Sequence, residues 1–409
     1  MTGDPVKKTA FTVLAVCFLM NLFARGVSET WVVFLLPVGA EFAWSRTQLA
    51  GVYSVFMVVH GLAAPLAGLM FDRFGPRVSY VAGLTALGSG YFLAGRLDGL
   101  WQFYLCIGVL GGIGVALLGM VTASALISRW FRARIGTAMG VAYAGLGFGV
   151  IAIVPLTQWL IESAGWRNAY TVLGLGLFLV LPVVIVLPWR RFTRGHPDYV
   201  QATSGYTGDG WTLSRAVRDR AFRGLVAVFF FTGASIFAAT IQIVAYLVEI
   251  GFEPLHAATA FGFLGMLSTG GVTASGWMVD RYGRRRTATI TYAMTLIGFG
   301  LLFLLAVWPG TLLLVLFVAS FGVSAGSRGP VVSTLAAELF PGGGLGAIYG
   351  VITLGMGVGA GMGSWISGLL YDVTGGYVAC FAFGAVMAVF GLAQFWLVPA
   401  LAFGRRKTV

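Results

Sequence analysis

Charge is what this 409-residue chain has least of: only 10% of its residues are Asp, Glu, Lys or Arg, and only 14 are acidic. A soluble domain carries about 25% charged residues, so an aqueous globule built around one core is excluded. Cysteine is scarce too. Cys17, Cys106 and Cys380 sit singly in apolar runs, with neither paired spacing nor a C-x-x-C, which argues against a disulfide framework or a zinc site. No phosphate-cradling glycine loop, metal cluster or nucleophile–base constellation is visible. Enzymatic activity, an ATP-driven pump, a cofactor and a metal are therefore not expected.

What remains is apolar: 58% of the chain is hydrophobic, and its 60 glycines are spread through the apolar runs. Small residues at that density suit close helix packing in lipid. A crossing helix needs about 20 residues. Breaks at charged, Pro and Gly-rich turns give twelve spans near 11–37, 47–70, 78–96, 101–127, 136–161, 168–189, 222–249, 257–279, 288–307, 311–339, 345–371 and 376–399. The first run is too long for the h-region of a cleavable signal and lacks an A-x-A-like end. The net charge of +12 resides in short basic clusters between spans, a pattern that speaks against nucleic acid. All Lys and Arg except Arg46, Arg96, Arg167 and two intramembrane arginines fall in the termini and even-numbered loops. The positive-inside rule then puts both termini in the cytoplasm. Residues 190–221, with Arg190, Arg191, Arg194, Gly195, Pro197, Gly205 and Gly208, read as a cytoplasmic linker between a bundle over 1–189 and another over 222–409. The Trp211–Arg223 end is a candidate surface helix.

The two halves echo each other. Gly68, Asp72, Arg73, Gly75 and Arg77 follow span 2, and Gly276, Asp280, Arg281, Gly283 and Arg285 follow span 8 at an offset of 208 residues. Gly136, Gly140, Gly145, Gly147 and Gly149 recur 210 residues later as Gly346, Gly350, Gly355, Gly357 and Gly359. This G-x-x-x-D-R-x-G-x-R pattern resembles the loop signature of the major facilitator superfamily. The resemblance covers essentially the whole chain and implies an all-α integral membrane fold: two six-helix bundles rocking about a midplane cavity. The motif itself reads as a gate, with Asp72 and Asp280 pairing with basic groups or helix N-termini near spans 5 and 11. Within the superfamily, Arg25 to Trp31, Trp44-Ser45-Arg46, Ser327-Arg328-Gly329-Pro330 and Tyr371 to Tyr377 look most like bacterial members of the monocarboxylate porter branch. Animal members of that branch carry an Asp/Arg pair in span 8; here span 8 has no charge. Span 5 also lacks the Gly-Pro juxtaposition of the superfamily's antiporters.

The resemblance implies that spans 1, 4, 7 and 10 line the cavity, and both intramembrane arginines fall on that set. At about 1.5 Å per residue, Arg25 lies about 21 Å above the inner start of span 1 and Arg328 about 25 Å below the outer start of span 10. Cations at that depth are costly and mark a ligand site or an ion path. Asn21, Arg25 and Glu29 share one helical face, as do Ser320, Ser324 and Arg328, with Ser327 beside them. Span 7 offers Thr232, Ser235, Gln242 and Tyr246, and Tyr143 in span 5 is a candidate cavity aromatic. Polar stripes should turn away from lipid. Two readings of each arginine stay open: a guanidinium fork for a carboxylate, or a partner for Glu29. Glu29 is the only acid placed well inside the membrane and the first candidate for a coupling proton; His60 in span 2 is the second. Pro330 should break span 10 locally.

The expectation is a monomeric secondary transporter for a small organic anion, a mono- or dicarboxylate, with proton coupling as an option and lipid as its surroundings. Its likeness to bacterial members points to an inner membrane. Efflux of an amphipathic compound and a non-transporting sensor on the same scaffold are the alternatives.

Overall fold

The computed structural model describes residues 5–131, 135–196, 211–340 and 345–403, and the regular elements in them are helices. Among the described residues, eleven helical segments are long and apolar enough to cross a membrane. One of them, Arg46–Ala94, has 49 residues. At about 1.5 Å per residue it would run for about 73 Å, against a hydrocarbon core of about 30 Å. It is two crossings, joined at Gly75, whose φ of 80° and ψ of 173° are not helical. Gly283, the repeat counterpart of Gly75, has φ 78° and ψ 163° between Pro254–Tyr282 and Arg284–Val307. Both lie in a region nearly closed to any residue with a Cβ, which is why the motif keeps a glycine there in each half. Twelve spans result.

Span 1 is Val6–Phe42, spans 2 and 3 divide Arg46–Ala94 at Gly75, span 4 is Leu100–Ile127, span 5 Ile135–Ala164 and span 6 Trp166–Val186. Spans 7 to 10 are Arg220–Glu249, Pro254–Tyr282, Arg284–Val307 and Thr311–Leu339. Span 11 is Leu345–Thr374 and span 12 Val378–Leu397. Between the halves stand a short helix, Trp189–Arg194, and a single turn, Leu213–Ala216, before span 7 begins at Arg220. The surface helix expected over 211–223 is thus one turn. Residues 197–210 of the expected linker, with Pro197, Gly205 and Gly208, lie outside the described residues.

Two seams join the halves. Span 2 meets span 11 where a Cβ on Gly368 would lie 2.6 Å from the Arg46 carbonyl oxygen, one on Gly361 3.0 Å from that of Ser54, and one on Gly61 3.5 Å from Gly357 Cα. Span 5 meets span 8 through Gly262 against Ile151, Gly265 against Val150 and Gly147 against Met266. Farther toward the termini the approach ends: added Cβ atoms at Gly140, Gly270, Gly276 and Gly350 would meet nothing within 4 Å. The halves are closed at the end opposite the termini, and these four glycines make no such approach.

Candidate functional site

Span 1 is interrupted where its charges sit. Helix Pro5–Ser28 stops, Glu29 and Thr30 form a turn, and Trp31–Phe42 resumes. The cause is competition for carbonyls. The Val27 carbonyl accepts the Thr30 hydroxyl at 2.7 Å, the Thr30 amide at 3.2 Å and the Tyr91 hydroxyl at 2.7 Å, while Ser28 Oγ donates to the Arg25 carbonyl. Hydroxyls that bond nearby backbone in this way loosen a helix.

At this turn Arg25 Nη2 pairs with Glu29 Oε1 at 2.8 Å. The two partners differ in access. The Arg25 side chain is 37% exposed and that of Glu29 2%. Tyr53, on span 2, donates its hydroxyl to both Glu29 oxygens at 3.1 Å. Its ring packs on Phe56 and, across the seam, on Phe237 of span 7 at 6.1 Å. His60 is half-buried, stacks on Phe56 and lies within Coulombic range of Arg25. Glu29 therefore forms its ion pair with Arg25 on its own span, one of the two readings left open above, and not with Arg328.

Asn21 is placed differently from expectation. It is wholly buried and donates Nδ2 to the Ala142 carbonyl of span 5 at 3.1 Å, tying two helices of one bundle together. Its Oδ1 has no partner. Gly26, one residue past Arg25, presses on Gly149 of the same span 5, and this close approach turns the Asn21 side of the helix inward.

Arg328 also departs from the expected hollow. It is 2% exposed, and its fork is taken up inside the second bundle. Nη1 donates to the Ser324 carbonyl at 2.6 Å, and Nη2 to the Thr291 carbonyl at 3.0 Å and to Thr295 Oγ1 at 2.5 Å. Its guanidinium lies over the Tyr292 ring at 4.3 Å, and Tyr292 shares a hydrogen bond with Thr232. Among the described residues no carboxylate pairs with it, and its buried Nε has no partner. Span 10 breaks at Ser327 immediately before it. Pro330 explains the break: it has no N–H for the carbonyl four residues back.

The other expected contacts of spans 7 and 10 follow Arg328 into the bundle. Ser324 donates to Phe321 O and accepts from Thr295, and Ser327 donates to Ser324 O. Tyr246 donates to the Leu302 carbonyl of span 9 and packs on Tyr377 and Phe381. Gln242 is fully buried with both amide atoms unpartnered, as is the Ser235 hydroxyl. These stripes avoid lipid as polar stripes must; Thr232, Tyr246 and Ser324 do so by bonding to span 9. Tyr143 is half-buried, within hydrogen-bonding reach of Ser124 and Coulombic range of Tyr349 in the other half. Missing from the sequence reading were Tyr53 and the Thr291–Tyr292–Thr295 group. The second had a signal: Thr287, Thr291 and Thr295 recur every four residues in span 9.

In the repeated motif, Asp72 and Asp280 are exposed, and no ion pair to either is formed among the described residues. The stretches where their pairing is expected, 132–134 before span 5 and 341–344 before span 11, lie outside the described residues. The motif's arginines lean on aromatics: Arg73 on Phe74, Arg281 on Trp277 and Arg285 on Trp396. An added Cβ on Gly68 would touch Val121 at 3.7 Å and one on Gly276 would meet nothing within 4 Å, and Arg77 is exposed. Arg284, inside the second motif, pairs with Glu338 at the end of span 10.

Comparison with known proteins bears on this geometry. A family model described as Major Facilitator Superfamily matches residues 14–327 and again 271–408. Monocarboxylate transporter 13 of Bos taurus is 29% identical over 383 residues, 91% of this chain and 85% of that protein. The uncharacterized MFS-type transporter YcxA of Bacillus subtilis (strain 168) is 26% identical over 399 residues, 94% of each. Among solved structures, a bacterial homolog of the human lysosomal transporter Spinster, inward-facing and unoccupied, aligns with a TM-score of 0.76 at 14% identity over 100% of both chains. The partially occluded inward-open xylose transporter XylE of E. coli aligns at 0.73 and 16% identity, over 96% of this chain and 98% of that one.

Proposed function

Because this chain belongs to the major facilitator superfamily, and is thus a multi-pass secondary transporter of a small molecule, we propose that its cargo is a small organic anion, a mono- or dicarboxylate, held at Arg25. The supporting observation is the unequal burial of the Arg25–Glu29 pair. Arginine has five N–H donors in a fixed fork; Arg25 meets Glu29 at Nη2, and its side chain is 37% exposed. The exposed remainder of the fork is offered beside Tyr53 and His60, on the stretch of span 2 that meets the other half. A carboxylate arriving there finds a bidentate partner whose charge is only partly compensated.

Glu29 is then the proton site of the proposal. An anion that takes over Arg25 leaves Glu29 buried without its counter-charge. Anion and proton would move together, with His60 as second candidate. Arg328 acts at a distance in this reading, as an unpaired positive charge within the second bundle that draws anions toward the midplane. The relatives named monocarboxylate transporters support a carboxylate cargo by their names. The two bundles over 1–189 and 222–409 are proposed as the rocking units, Asp72 and Asp280 as gate residues of the closed cytoplasmic end, and a bacterial inner membrane as the location. A thermal-shift screen of purified protein tests the cargo class. Carboxylates should raise Tm in the native protein and fail to do so in Arg25→Gln; stabilisation by neutral compounds alone would contradict it.

A further inference from the structure

The closed end of the molecule is held by a group that the transport reading does not use. Arg46, first residue of span 2, reaches across the seam: its Nη2 meets Glu249 Oε1, last residue of span 7, at 2.5 Å and the Tyr377 hydroxyl at 3.5 Å. Its guanidinium lies over Tyr371 at 5.0 Å, and Tyr371 donates to Glu249 Oε2 at 3.1 Å. Asp372 of span 11 takes the N-terminus of span 2. It accepts the Arg46 amide at 2.9 Å, the Thr47 amide at 2.8 Å and the Thr47 hydroxyl at 2.5 Å. Every helix start leaves four amides without intrahelical partners. Here Ser45 Oγ takes the Gln48 amide and Gln48 Oε1 takes the Ser45 amide in return. Two of the four are thus satisfied only by a residue of the other half.

The repeat shows that this arrangement is one-sided. Glu249 lies 208 residues after Glu41, and Tyr377 lies 210 after Arg167, the same offsets that relate the motifs. In the first half, Arg167 binds Glu41 at 2.8 Å within its own bundle. In the second half a tyrosine stands in the arginine's place, so Glu249 has no cation of its own bundle there and accepts Arg46 from across the seam. The counterpart of Asp372 is Glu162, which accepts from Gln158 on its own helix at 2.9 Å. The counterpart of Arg46 is Pro254, which has no N–H to donate. Two substitutions in the repeat turn an internal brace into a contact between bundles.

We propose that Arg46 and Thr47, with Glu249, Tyr371 and Asp372, form a latch that holds the outer end shut and must release for the carrier to face outward. This rests on the alternating cycle of a secondary transporter and is independent of what the cargo is. Opening hands the two amides and the carboxylates to external water, so the latch is reversible.

The test is Ser54→Cys, at the seam beside Gly361 and about 12 Å inward of Arg46, labelled from outside with a membrane-impermeant maleimide. The three native cysteines are buried, and the parent without Ser54→Cys serves as blank. Added to it, Glu249→Gln with Asp372→Asn should raise the labelling rate roughly tenfold, as expected for losing charge-assisted bonds. Glu41→Gln, which cuts the brace inside the first bundle, should leave the rate unchanged. Arg46→Gln, Glu249→Gln and the two combined should give one common rate. Should the charge-neutral pair not reach the membrane, Thr47→Val is expected to label roughly threefold faster. Equal rates in parent and latch variants, or acceleration by Glu41→Gln to the same extent, would overturn the latch. Labelling needs no substrate, so its failure is separate from failure of the anion reading.

Discussion

Tyr53 donates one hydroxyl to both oxygens of Glu29 at 3.1 Å, and so holds the carboxylate against Arg25 from the neighbouring span. This bond makes Glu29 the buried partner and leaves Arg25 the accessible one.

Tyr53→Phe keeps the ring against Phe237 and removes the hydroxyl. A hydrogen bond to a charged group contributes about 1.5–3 kcal/mol. We expect a loss of stability of that order in chemical or thermal unfolding in detergent. The KM for the anion should also rise, because Glu29 then competes more strongly for Arg25. Wild-type stability in Tyr53→Phe would show that the bond is idle.

The Tyr292 ring beneath Arg328 predicts a graded series. Tyr292→Phe loses the contact with Thr232 and keeps the aromatic face, at a cost of about 1 kcal/mol. Tyr292→Leu also loses the cation–π contact and should cost about 2 kcal/mol more, since the site is desolvated. Unfolding midpoints measured side by side check the order. Equal midpoints would mean that the ring does not stabilise the buried charge.

Gly283 sits at φ 78°, whereas Gly300 lies inside span 9 with nothing within 4 Å of an added Cβ. Gly283→Ala should therefore cost about 1–3 kcal/mol through backbone strain. Gly300→Ala should be neutral or stabilising by up to about 1 kcal/mol. The amount of monodisperse protein recovered after a heat step ranks the two.

The fold was legible in the sequence because lipid imposes simple rules. Apolar runs marked the crossings, and the repeated motif marked the breaks after spans 2 and 8. The site was legible only in part. Arg25 and Glu29 are one turn apart on one helix, so their pairing could be read from spacing alone. Asn21 lies on the same face, but which neighbour that face meets depends on Gly26 closing on Gly149, a contact between distant segments. Helical spacing told that Gln242, Tyr246 and Ser324 avoid lipid. It could not tell whether Tyr246 and Ser324 turn to the hollow or to span 9, since both satisfy the same rule. Tyr53 gave no signal, being one tyrosine among 14.

The most direct measurement is uptake of radiolabelled carboxylates, chosen from the thermal-shift screen, into proteoliposomes carrying the native protein, Arg25→Gln or Glu29→Gln. An inward proton gradient should drive accumulation in the native protein. Arg25→Gln should lose transport roughly a hundredfold, as expected for a desolvated charge-assisted fork, and Glu29→Gln should keep exchange while losing the response to the gradient. Undiminished, gradient-driven uptake by Arg25→Gln would contradict the account.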